Sequence, residues 1–384
     1  MSTQNEVRES QELPTEPVPA LGSLTPWVIT ASLLVLAILS WWVLADPKWS
    51  PVGASLPAVD AVLFWTILGF IFTGFTFANW PFSKIRQPTA GILQVGVDVA
   101  IGFLAAWLFS FVIGSWDPTF SHSTAAGAGF TATAFVVLIG FFAYALAAAS
   151  WGGYPFAAIP GPVASVAQFF LGAFITLVGV VVLVYPNFNT TLAKHAPLAL
   201  APATGWVYSS IVIVIVAAML WQNWPWASVR NRHAQAAAAL VVALGGGIGL
   251  YYLLRLVVLA VTPAEVKGMP TFAAGLQAAE LGVCFSLWAL VAGLIFAPSA
   301  RPRLGTAGTR VIRTAVVTVL AIATYVVFMR FFATKVLHFA PVRGTYGGDP
   351  LTWIDWAILI VLWYAVAFDK YGSTRRAPAA AGDQ

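Results

Sequence analysis

Ten apolar runs recur along these 384 residues, each long enough to cross a bilayer, and no other feature restricts the fold so tightly. They cover about 24–45, 58–79, 90–115, 128–150, 162–185, 205–223, 236–261, 272–297, 311–334 and 351–368. A helix needs roughly 20 apolar residues to cross about 30 Å of hydrocarbon. Composition agrees: with 60% hydrophobic and 9% charged residues, the chain has too few charges to coat a water-soluble globule of this length. The expectation is an all-α integral membrane protein with about ten transmembrane helices.

The remaining segments fit that reading. Residues 1–23 carry Glu6, Glu9, Glu12 and Glu16 against Arg8, with Pro14, Pro17 and Pro19, and read as a disordered cytoplasmic tail. A secretory signal needs a basic stretch before its apolar core, and this one is acidic, so no cleavage is expected. Residues 373–384 form a second polar tail. The net charge of +5 comes from cations at the ends of apolar runs, which points to lipid headgroups and not to nucleic acid. Cys284 is the single cysteine, so a disulfide framework or a cysteine-ligated metal within one chain is excluded.

Lys and Arg counts set the orientation. Segments after even-numbered runs hold eleven (Lys84, Arg86, Arg230, Arg232, Arg301, Arg303, Arg310, Arg313, Lys370, Arg375, Arg376) and those after odd-numbered runs hold five (Lys48, Lys194, Lys267, Lys335, Arg343). The positive-inside rule then places both termini in the cytoplasm, in a plasma or inner membrane.

A repeat emerges at the ends of the even runs. Asn79-Trp80-Pro81-Phe82 recurs as Gly153-Tyr154-Pro155-Phe156 and as Asn223-Trp224-Pro225-Trp226. An aliphatic residue follows four places after each proline (Ile85, Ile159, Val229), and Arg86 and Arg230 follow at five. Pro298 ends the fourth even run with Arg303 at the same offset, giving intervals of 74, 70 and 73 residues. A fifth copy falls near 370, where Lys370-Tyr371 precedes Arg375 without the proline. Residues 24–372 thus read as a single transmembrane domain of five parallel two-helix repeats, at about 24–86, 87–160, 161–230, 231–303 and 304–372. Proline stops each helix, the aromatic at Trp80, Tyr154 or Trp224 sits at headgroup depth, and the arginine reaches lipid phosphate.

Five similar hairpins suggest a pseudo-fivefold ring, with a central axis lined by one helix of each pair. This arrangement is similar in outline to the tellurite-resistance and plant anion-channel family, which also strings five helical hairpins into a pseudo-fivefold bundle. The resemblance covers helix count and topology; none of that family's motifs is present, and no residue role follows from it.

Ionisable groups within spans are the first site candidates, because burying a charge costs at least a few kcal/mol unless it is paired or wetted. Asp98, Arg255, Glu280 and Arg330 stand out. Asp98 lies about 12 Å into the third run, too deep to reach the headgroups. Arg255 and Glu280 flank one loop at similar distances, as a salt bridge stapling the hairpin or as a charged gate, with Glu280 or Asp98 able to take a proton. Arg330 either attracts an anion or reaches the headgroups. Gly246 lies in the run Gly245-Gly246-Gly247-Ile248-Gly249, where glycines permit close packing or local unwinding around a substrate. Gln94 and Gln168 both sit thirteen residues after a repeat proline. If odd helices line the axis they present amides to a hydrated mouth; otherwise they bond a neighbouring helix. His122, His195 and His338 share the outer side without close ligand spacing.

No phosphate loop, nucleophile elbow or zinc-protease helix is present, so no catalytic residue, metal or cofactor is assigned. The expected partners are the bilayer and a small-molecule or ion substrate, with a homo-oligomer or partner subunit left open. The expected function is transport or conduction of a small solute, an anion or a proton-coupled organic solute. The alternative is a non-transporting membrane enzyme or a structural, anchoring subunit of a membrane complex.

Overall fold

The computed structural model describes residues 25–51, 56–159, 162–189, 195–270, 272–296, 305–344 and 346–371. The tails at 1–23 and 373–384, and the positions Pro298, Arg301, Arg303, Arg375 and Arg376 of the sequence reading, lie outside them.

Ten long apolar helices occur among the described residues: α1 (Thr25–Leu44), α2 (Leu56–Thr76), α3 (Thr89–Trp116), α4 (Ala125–Ser150), α5 (Pro162–Phe188), α6 (Leu200–Leu220), α7 (Arg232–Val261), α8 (Ala274–Ile295), α9 (Thr306–Lys335) and α10 (Pro350–Ala367). Apolar runs of this length become helices because hydrocarbon offers the backbone no partner but itself. Each begins and ends within a few residues of the sequence reading, the largest differences being the starts of α6, at Leu200 and not near 205, and of α9, at Thr306 and not near 311.

The five even helices form a closed ring in the order α2, α4, α6, α8, α10, with α10 packing back on α2. Their residues are 56–72% buried, against 22–28% for the odd helices, which coat the outside. An axis lined by odd helices, one of the sequence expectations, is therefore replaced by one lined by even helices. Each odd helix packs on the even helix before it and on the even helix of the repeat before that: α3 on α2 and α10, α5 on α4 and α2, α7 on α6 and α4, α9 on α8 and α6. The same rule carries α1 onto α10 and α8, closing the ring.

Indole N–H groups bind these layers together. Trp206 Nε1 donates to the Leu244 carbonyl at 3.0 Å, Trp288 Nε1 to Thr324 Oγ1 at 2.8 Å and Trp356 Nε1 to Ser40 Oγ at 2.8 Å, each from an even helix to the odd helix beside it. Each bond supplies a partner to a polar group that lipid could not satisfy.

The repeat has a backbone signature. Two consecutive residues adopt left-handed φ at the end of four even helices: Ala78 and Asn79, Gly152 and Gly153, Gln222 and Asn223, Asp369 and Lys370. In three copies the second of them donates its N–H six residues back, Asn79 to Thr73, Asn223 to Ala217 and Lys370 to Tyr364, satisfying a carbonyl the helix leaves open. The copy near 370 shares this turn without its proline. The buried ring after the proline, Phe82 or Trp226, pins the turn from inside, while Trp80 and Trp224 stay about half exposed. The Arg310 guanidinium lies 5.8 Å over the Trp224 ring, and the Tyr154 hydroxyl is 2.6 Å from His233 Nδ1.

Candidate functional site: an acidic vestibule on the axis

A cavity of about 330 Å³ opens at the end of the bundle opposite the repeat motifs. Its walls come from all five even helices: Asp60 and Phe64 from α2, Thr131 and Phe135 from α4, Thr204 and Tyr208 from α6, Leu276 from α8, and Leu351 and Thr352 from α10 with Asp349 just before it. A space walled by every member of a closed ring lies on the ring's axis. No Lys or Arg is among its described lining residues.

Two carboxylates, Asp60 and Asp349, share its polar lining with Thr131, Thr204, Thr352 and Tyr208. Asp349 caps α10, accepting the Leu351 N–H at 2.9 Å. Burial pushes its carboxyl up to about 6, against the opposing pull of that N–H. Asp60 stands close enough to feel the Asp349 charge. One turn deeper, Asp355 Oδ1 accepts from the Tyr208 hydroxyl at 2.9 Å. Asp60 Oδ1 and Asp355 Oδ2 are buried without a hydrogen-bond partner, an arrangement that suits a cation or a bound proton; Glu280 Oε2 is also unpartnered but lines a separate cavity with Gln277, Met329 and Tyr346. Below this level the axis narrows to about 10 Å³ among Phe64, Ile67, Leu138, Phe141, Tyr208, Ile211 and Asp355.

The sequence candidates take other places. Asp98 is fully buried between α2, α3 and α10 and off the axis: Oδ1 accepts from Thr73 Oγ1 at 2.7 Å and Oδ2 from Trp363 Nε1 at 3.0 Å. Gln94 donates to Thr73 Oγ1 and to Asn79 Oδ1, both at 3.1 Å, so it bonds a neighbouring helix and lines no mouth. Gln168 is buried against α4 with both amide atoms unpartnered.

Arg255 and Glu280 do not staple their hairpin. Arg255 is exposed on the outer face of α7, while Glu280 is buried on an inner helix, and the ion pair found among the described residues is His338 with Asp46, 2.9 Å apart. Odd helices turn most of their surface outward, so equal depth did not bring the two side chains together. Arg330, also exposed, donates from Nη2 to the Val261 carbonyl at 3.1 Å, closing the C-terminus of α7. Glu265, Arg330 and Arg343 share a separate cavity of about 510 Å³ at the same end of the bundle.

The glycine run stays helical throughout α7. Gly247 makes the close approach, since a Cβ there would overlap Ser210 on α6; Gly246 has only ordinary contacts and Gly245 and Gly249 face open space. Of the histidines, His122 lies against the Ser110 carbonyl and stacks on Phe111, and His338 pairs with Asp46.

Asp60, Asp349 and Asp355 are not among the sequence candidates. Each sits within about two turns of the start of an even helix, a depth from which a carboxylate is ordinarily taken to reach the headgroups. Closure of the ring turns them inward instead. The available signal was their shared position at the head of even runs, with Thr131 and Thr204 at comparable places.

No family model, curated protein or solved structure matches this chain. The functional reading therefore rests on its own geometry.

Proposed function

We propose that this membrane protein transports a small cationic or proton-coupled solute, which enters through the axial vestibule. The observation that carries the reading is a single cavity walled by five inner helices, with Asp60 and Asp349 among its lining, Asp355 just beneath it and no basic lining residue. Carboxylates facing one another in a site of low polarity favour a cation or a proton and repel an anion, so the anionic solute of the sequence reading gives way to a cationic one. Buried ionisable residues inside membrane bundles mark ion and proton pathways. By the positive-inside rule, the excess of Lys and Arg at the motif end supports a cytoplasmic position for that end in a plasma or inner membrane, with the vestibule facing outward.

The test is solid-supported-membrane electrophysiology on proteoliposomes, with concentration jumps of small organic cations and of protons. Charge displacement in the wild type, lost in Asp355→Asn and reduced in Asp60→Asn, supports the reading. No displacement with any cation or pH step, or unchanged currents in both variants, overturns it.

One observation favours a second reading, a non-transporting protein that binds a ligand or partner at its outer face: the axis beneath Asp355 is packed with apolar side chains. Cysteine replacement of Leu138 separates the two. Labelling from the motif side during turnover requires an axis that opens, and labelling confined to the vestibule side during saturating ligand favours the binding protein.

A further inference from the structure

The pseudo-fivefold repeat places Gln94 and Gln168 at the same point of successive repeats, 74 residues apart, in opposite surroundings. Around Gln94 the chain supplies four polar neighbours. Thr73 and Asn79 accept from its amide, Thr73 donates onward to Asp98, and Trp363 closes the cluster on the other Asp98 oxygen. At the matching register around Gln168 stand Ala147 for Thr73, Gly153 for Asn79 and Gly172 for Asp98. Aligning the left-handed pairs Asp369-Lys370 and Ala78-Asn79 sets Phe72 opposite Trp363. The glutamine alone is retained.

The result is a cavity of about 200 Å³ at the motif end, bordered by the ends of α2 and α4 and the start of α5. Gln168 lines it, 7% exposed, with Nε2 and Oε1 both lacking a partner. Thr76 and Ser165 are the hydroxyl residues of its wall, and the rest is Phe75, Ile159, alanine and glycine. A buried amide with both ends unmet carries a desolvation cost that a complementary ligand would remove.

We propose that this cavity is a binding site for a small neutral molecule bearing a carboxamide, separate from the axial vestibule. The chain itself provides the template: in the preceding repeat the group that meets Gln94 is the carboxamide of Asn79. A free carboxamide offers Gln168 a carbonyl for Nε2 and an N–H for Oε1, and the apolar wall accepts its hydrocarbon part. No charged side chain lines the cavity among the described residues, which excludes ionic ligands in favour of neutral ones.

The same register supplies the test. Gly153 has φ of 80°, and Asn79 and Asn223 occupy the equivalent position at 59° and 60°, so Gly153→Asn is compatible with the backbone and fills the cavity with the chain's own amide. Benzamide binding to the full-length protein in detergent is measured by saturation-transfer NMR, with empty micelles subtracted and N,N-dimethylbenzamide as the probe lacking an N–H donor. Binding should weaken about tenfold or more in Gly153→Asn, in Gln168→Leu and for the dimethyl probe. Equal binding of benzamide to the wild type and Gly153→Asn, or of both probes to the wild type, overturns the proposal. Gly153→Asn decides the matter even where Gln168→Leu fails to fold, provided it elutes as the wild type does on size exclusion.

Discussion

The Tyr208 hydroxyl donates a 2.9 Å hydrogen bond to Asp355 Oδ1, joining α6 to α10 across the axis of the inner ring and not between ring neighbours. This bond forms the floor of the vestibule and ties two helices that share no extensive packing. Replacing Tyr208 by Phe leaves both Asp355 oxygens unmet. The expected loss is about 1 kcal/mol, in line with hydrogen bonds between membrane helices. Denaturant unfolding in micelles checks it, and a double-mutant cycle with Asp355→Asn should return a coupling of the same sign.

Asp98 joins three helices away from the axis, so its variants should separate stability from transport. Asp98→Ala strands Thr73 and Trp363 and should cost about 1–3 kcal/mol. Asp98→Asn keeps an acceptor for Trp363 and a donor for Thr73 and should cost less. Folded Asp98→Asn protein should give charge displacements like those of the wild type; their loss would return Asp98 to the solute path.

Asp349 makes stability depend on pH. Its carboxyl is raised from 3.8 to about 6 by burial, so the folded chain holds a proton there that the unfolded chain has released. Stability from this group is greatest below about pH 4 and falls as pH rises towards 6, by at most about 3 kcal/mol. Asn at 349 keeps the cap on Leu351 and should flatten the change. Thermal melts across that window read the slope, and a wild-type curve that rises with pH in the same interval would contradict the assignment unless other carboxylates outweigh it, which the variant's difference curve resolves.

The glycines of α7 should respond unequally. Gly247→Ala forces a Cβ into Ser210, including its Cα at 2.9 Å, and should cost about 1–3 kcal/mol. Gly245→Ala and Gly249→Ala meet no neighbour within 4 Å and should be neutral or stabilise α7 by up to about 1 kcal/mol. The three melts together check whether close packing, and not flexibility, uses this run.

Much of the architecture was readable before any coordinates. Run length located the ten helices, and the Asn-Trp-Pro spacing exposed the repeat, including the turn at Asp369 and Lys370 where the proline is missing. Which helix of each pair faces inward was not readable, because lipid and protein interior are equally apolar and both kinds of helix carry similar side chains. That one gap misdirected several site residues. Arg255 and Glu280 share a depth in the sequence, although one looks outward and the other is buried within the bundle, and the aspartates at the heads of α2 and α10 read there as headgroup-facing. The contrast between Gln94 and Gln168 needed coordinates for a further reason. Their spacing was visible, but the substitution of Thr73, Asn79 and Asp98 by Ala147, Gly153 and Gly172 gains meaning only once these residues are seen to surround the amide.

The odd helices lean on repeats that precede them, and α1 satisfies this rule only by packing on α10 and α8. A ribosome delivers α1 first and α10 last. The opening helix therefore waits for α8 before it meets any surface it will cover and for α10 before it meets the larger one, and the ring is sealed by a meeting of the chain's two extremes. A chain cut short before α10 would leave that seam open, its first helix robbed of its larger packing surface.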